Sequence, residues 1–94
     1  MEKNDSLAFE NFKKAAELKS ANGALNLGVQ YMLGCGTIKD LKESEKWYIK
    51  AAEYGNAEAA WRLYAMYTNG DSFPKDEIKA EEFLQKAVKA KHPE

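Results

Sequence analysis

The sequence holds one cysteine, Cys35, so no internal disulfide can brace it. It has one histidine, His92, one arginine, Arg62, and two prolines, Pro74 and Pro93, both in the second half. A lone histidine and a lone cysteine far apart in the chain cannot supply the clustered ligands of a metal site. A cysteine nucleophile needs a neighbouring base to hold it as thiolate, and His92 lies far along the chain from Cys35. No window approaches the roughly 18 apolar residues of a membrane span.

An excess of one charge is also missing. Fourteen basic and fifteen acidic residues leave a formal net charge of -1. That balance exerts no general pull toward nucleic acid or an anionic membrane. The opening stretch, MEKNDSLAFENF, has no basic segment leading into an apolar one, so it is not a secretory signal. These absences agree with a reducing, cytoplasmic setting, though they do not exclude a chain whose leader has been removed.

What is present is an ordinary globular composition, 45% hydrophobic and 31% charged. Ninety-four residues make a single domain, 1–94, that buries roughly 60 to 65% of the surface its unfolded chain exposes. Strand-type alternation is absent and helical spacing is strong. Ser44, Trp47, Tyr48, Ala51 and Ala52 fall on one helical face, as do Ala80, Phe83, Leu84, Ala87 and Val88. Ala8, Phe12, Ala15 and Ala16 keep the pattern near the start, with Asn11 as its lapse.

These faces are one face, displaced by 36 residues each time. Leu27 maps to Leu63, Tyr31 to Tyr67, Gly34 to Gly70, Asp40 to Asp76 and Lys50 to Lys86. A fixed period in this range marks stacked repeats. The units read as a half repeat over 1–21, a repeat over 22–57 and a second over 58–94. The spacing predicts an all-α fold, an α/α solenoid of about five helices over about 5–19, 22–33, 40–54, 56–69 and 76–91.

Local chemistry marks the boundaries. Asp40 with Glu43 reads as a capping box; Asp76 takes the same place with Lys79 instead of the glutamate. Gly55 suits the left-handed residue that closes a helix, with Asn56 starting the next. Recurrent alanines such as Ala15, Ala24, Ala51, Ala60 and Ala87 let helix backbones approach, and Leu27, Tyr31, Trp47 and Tyr48 fill the gaps. Each unit depends on its neighbours for burial. Since about three repeats are usually needed for stability, marginal stability or burial of a free end by a partner is expected.

At these positions the chain resembles the Sel1-like repeat family, relatives of the tetratricopeptide repeats. The pattern A-x-x-L-G-x-x-Y-x-x-G stands here as Ala24, Leu27, Gly28, Tyr31 and Gly34, then as Ala60, Leu63, Tyr64, Tyr67 and Gly70. Its second half stands as Asp40, Ser44, Trp47, Tyr48, Lys50, Ala51, Ala52 and Gly55. Tyr64 departs from the family glycine, which implies wider helix packing there. Ser72 replaces Gly36, and the last unit ends KAKHPE without the closing glycine, as at the end of an array or a cut. Unlike relatives with paired cysteines, this chain has only Cys35. The resemblance implies a scaffold or adaptor that binds other proteins, with no enzymatic activity and no cofactor.

The stretch LNLGVQYMLGCG, 25–36, invites a phosphate-loop reading. Such loops open a helix, whereas Gly34 and Gly36 close one, and no G-K-[ST] follows. Cys35 aligns with Asp71 and reads as a variable loop position. Glu43, Glu45, Glu81 and Glu82 sit among lysines and read as a solvated face. Lys86, Lys89, Lys91 and His92 are too sparse a basic end for nucleic acid.

In tetratricopeptide solenoids the first helix of each unit lines a concave groove. By resemblance the lining here is Asn22, Leu25, Val29, Met32 and Leu33, continuing through Glu58, Trp61, Ala65, Thr68 and Asn69. Arg62 lies on the rim and is placed to pair with Glu58. The apolar members serve either a protein or peptide partner or burial against the half repeat or a second copy; Trp61 leans toward a partner. Three functions follow: a protein-interaction module, a small bacterial immunity- or inhibitor-type protein, or a self-associating piece of a longer solenoid.

Overall fold

The computed structural model describes residues 2–70 and 73–91. Five helices follow one another: α1 Glu2–Glu17, α2 Ala21–Leu33, α3 Leu41–Glu53, α4 Ala57–Asn69 and α5 Glu77–Lys91. Among the described residues there is no strand. Each helix packs on the next in chain order, and α3 also touches α5. The result is a slab measuring 40 × 29 × 17 Å, little more than a pair of helices deep. Asp71, Ser72 and His92 lie outside the described residues.

The core is the repeated face. Leu27, Tyr48, Ala51, Leu63, Tyr67 and Ala87 are fully buried, and Ala16, Ala24, Ala60, Ala80 and Phe83 join them. Small residues set the helix approach. A Cβ at Gly23 would stand 2.5 Å from the Cβ of Ala15, so α1 and α2 meet where only hydrogen and methyl fit. Gly28 lies against the Ser44 carbonyl and the Tyr48 ring. The Ser44 hydroxyl is fully buried and donates to the Gly28 carbonyl at 2.8 Å, which satisfies it without water. Tyr64, the equivalent of Gly28, does not loosen the second hairpin, because α4 packs on α5 as extensively as α2 on α3. Leu84 and Ala80 stand where the first hairpin has the bulkier Tyr48 and Ser44.

The helix ends follow side-chain chemistry. Asp40 Oδ1 accepts from the main-chain N–H of Lys42 and of Glu43, and Asp76 Oδ1 from those of Ile78 and Lys79. The reciprocal half of the expected capping box is not used. The Asp40 N–H donates to the Tyr31 carbonyl at 2.9 Å, and that of Asp76 to Tyr67 at 3.0 Å. Glu43 turns to Lys46 at 3.8 Å instead. With that N–H bonded across the turn, Lys79 can replace a glutamate without orphaning a donor. α1 stops at Glu17, short of the expected 19, because Lys19 is left-handed (φ 66) and Ser20 caps α2 through the Gly23 N–H. Gly34 and Gly70 close α2 and α4 with φ of 73 and 74, the left-handed region that favours glycine.

Candidate protein-binding surface

The row expected on α2 divides. Asn22 is exposed, but its side-chain oxygen accepts from the Asn56 amide at 2.9 Å, which ties α2 to the start of α4. Leu25, one turn further along that side, is only 7% exposed and belongs to the core. The Leu25 side chain is therefore taken up by packing inside the fold and is not part of the open row. Val29 and Met32 are half-buried against the core, while Leu33 is 65% exposed.

The row on α4 stands open. Trp61 is 40% exposed, and its ring meets Tyr64 edge-on with centroids 5.9 Å apart. Ala65, Thr68 and Asn69 are exposed along the same helix. Arg62 donates through two nitrogens to Glu58 Oε2, at 3.2 and 2.8 Å, as the i,i+4 spacing foretells. That bond holds the Arg62 guanidinium above its usual pKa.

Tyr48 stands on α3, which packs on both α2 and α4. Its hydroxyl donates to the Met32 sulfur at 4.0 Å, and the Arg62 guanidinium acts on the same hydroxyl from α4. Burial raises the Tyr48 pKa, and the arginine charge opposes that rise. The surface thus has an aromatic centre in Trp61 and Tyr64, an ion pair at its edge and an apolar flank in Met32 and Leu33.

Elsewhere, Cys35 is half-buried in the turn after α2 and its main-chain N–H donates to the Gln30 carbonyl. Among the described residues no three histidine, cysteine, aspartate or glutamate side chains cluster closely enough to hold a metal ion. Glu45 departs from the solvated face expected of it: it is half-buried and accepts a hydrogen bond from the Tyr67 hydroxyl.

The repeat pattern and this helical stack agree with known proteins. The Sel1 repeat model matches residues 1–20, 21–56 and 57–92. The chain belongs to the Sel1 repeat family. A Sel1 repeat protein from Oxalobacter formigenes superposes with a TM-score of 0.81 at 34% identity, over 92% of this chain and 35% of that one. The protective antigen c5321 of uropathogenic Escherichia coli, described as displaying an SLR fold, superposes with a TM-score of 0.76 at 36% identity. That match covers 85% of this chain and 17% of the antigen. In sequence, the chain is 33% identical over 77 residues to the ERAD-associated E3 ubiquitin-protein ligase component HRD3B of Arabidopsis thaliana. The match takes in 82% of this chain but spans only 13% of the plant protein's length. Sel1 repeats generally mediate protein–protein interactions and serve as non-catalytic scaffolds.

Proposed function

We propose that this chain is a non-enzymatic protein-binding module, an adaptor that holds a peptide or a partner surface along the open side of α4 and the end of α2. The observation that carries the reading is Trp61: a large aromatic, 40% exposed, steadied by Tyr64 and flanked by an ion pair. Rigid aromatics in that setting concentrate binding energy at the centre of interfaces. Leu25 drops out of the row because it is in the core, and Asn22 serves the fold as well as the surface.

The test is to identify the partner by affinity purification and mass spectrometry, then titrate it calorimetrically. Trp61→Ala is expected to cost on the order of 2 kcal/mol of binding. Unchanged affinity with an unchanged fold would overturn the assignment.

One comparison inside the chain favours a second reading, self-association by stacking. Leu25 and Ala52 are 7% and 9% exposed, whereas their equivalents Trp61 and Val88 are 40% and 46% exposed. The first pair is buried inside the stack, so a second copy placed on the second pair would bury it in the same way. Sedimentation equilibrium decides it, because a monomer at high concentration excludes this reading.

A further inference from the structure

A cavity of about 450 Å³ opens between the first turn of α3, the end of α4 and the loop leading into α5. It shares no residue with the row that carries Trp61. Its apolar wall is built on Tyr67, whose ring lies 5.7 Å from Phe73 and 6.0 Å from Phe83, with Leu41 and Pro74 completing it. Its rim carries three lysines, Lys42, Lys75 and Lys79.

The acidic groups here are already engaged. Glu45 accepts from the Tyr67 hydroxyl, and Asp76 caps α5 through the N–H groups of Ile78 and Lys79, each at 3.1 Å. None of the three lysines forms an ion pair among the described residues. The Lys79 ammonium instead lies over the Tyr67 ring at 5.6 Å. The opening therefore sets three lysines, none in an ion pair, against two carboxylates that are held in hydrogen bonds, over a floor backed by buried aromatic rings.

The first repeat is built differently at the same place. Thirty-six residues earlier, Phe9 stands for Glu45, Thr37 for Phe73 and Glu43 for Lys79. The Phe9 ring packs edge-on against Tyr31, the equivalent of Tyr67, with centroids 5.5 Å apart. There an aromatic side chain occupies the position and the rim residue is acidic. In the second repeat Glu45 replaces that plug, the aromatic against the tyrosine comes from Phe73 on the other side, and the rim residue is basic.

We propose that this pocket binds an apolar group ending in a carboxylate, its apolar part against Leu41 and Pro74, which the buried Tyr67 and Phe73 rings support from behind, and its carboxylate among Lys42, Lys75 and Lys79. Two sources carry this chemistry: the C-terminal residue of a peptide, and a free aromatic or aliphatic acid.

The test titrates the isotope-labelled full chain, followed by NMR, with four probes. These are an acetylated tetrapeptide ending in phenylalanine, its C-terminal amide, phenylbutyrate and phenylbutylamine. The acids are expected to shift the amides of residues 41–45 and 73–79 and to bind roughly tenfold more tightly than the amide and the amine. Tighter binding of the peptide acid than of phenylbutyrate assigns the peptide source; equal or weaker binding assigns the free acid. Equal affinity for acid and amide, or shifts confined to other residues, would overturn the proposal.

Lys79→Gln, at an exposed position, is expected to weaken the acids roughly two- to fivefold without moving the melting temperature. Unchanged affinity in that variant removes the carboxylate assignment. Glu45→Phe restores the plug of the first repeat and is expected to abolish binding. Should that variant fail to fold, Lys79→Gln and the acid–amide pair still decide the question.

Discussion

The side-chain amide of Asn56 donates to the side-chain oxygen of Asn22, 2.9 Å away and 34 positions earlier in the chain. The same Asn56 accepts the Ala59 N–H at 2.8 Å, so one residue both caps α4 and fastens it to α2. Loss of a cap costs about 1 kcal/mol, and loss of one further hydrogen bond about 0.5 to 1 kcal/mol. Asn56→Ala is thus expected to lower stability by about 1.5 to 2 kcal/mol, and Asp40→Ala, which only caps, by about 1 kcal/mol. Urea midpoints of the two variants provide the comparison; equal losses would mean that the tie to Asn22 contributes nothing.

Gly23→Ala sets two effects against each other. Helix propensity favours alanine by up to about 1 kcal/mol. The added methyl would lie 2.5 Å from the Ala15 Cβ and 3.0 Å from backbone atoms of α1. Neither partner can rotate away, so the overpacking cost of about 1 to 3 kcal/mol wins. The variant is expected to be less stable, and Ala15→Gly in the same chain to recover only part of the loss, because the 3.0 Å backbone contacts remain and glycine costs α1 helix propensity. A double-mutant cycle by equilibrium denaturation measures the coupling, which is expected to be well above zero.

The Tyr67 hydroxyl gives the fold an alkaline limit. Burial, then the hydrogen bond to Glu45, then the charges of Glu45 and Asp76 push its pKa above the ordinary 10.0. The folded chain therefore holds this proton more tightly than the unfolded chain does. The associated stability is whole below pH 10.0 and is lost as pH rises above it. Tyr31 and Tyr48, also raised, act with the same sign. Stability against pH, measured by urea unfolding alongside tyrosinate absorbance, is expected to fall through the alkaline range. Tyr67→Phe should flatten that fall.

The repeat made most of the architecture legible, because a displacement of 36 residues places core positions, caps and turns together. Asp40 and Asp76 were readable since a capping side chain acts on N–H groups two or three positions away. The burial of Leu25 was not, because helical spacing gives a residue's direction about its own axis and not what the rest of the fold lays over it. Glu45 among lysines looks like a solvated face until α4 brings Tyr67 to it from 22 positions away. The cavity beside them had one readable trace, the mismatch of Phe9 with Glu45, Thr37 with Phe73 and Glu43 with Lys79 across the repeat.

Because every helix packs on its immediate successor, the chain closes only short loops as it folds. The 34 positions between Asn22 and Asn56 are the longest reach among the side-chain hydrogen bonds of the described residues. Loop closure at that range costs little entropy, and helical chains dominated by such local contacts fold in microseconds to milliseconds. A polypeptide wired this way can settle hairpin by hairpin as it leaves the ribosome, without waiting for its far end to arrive.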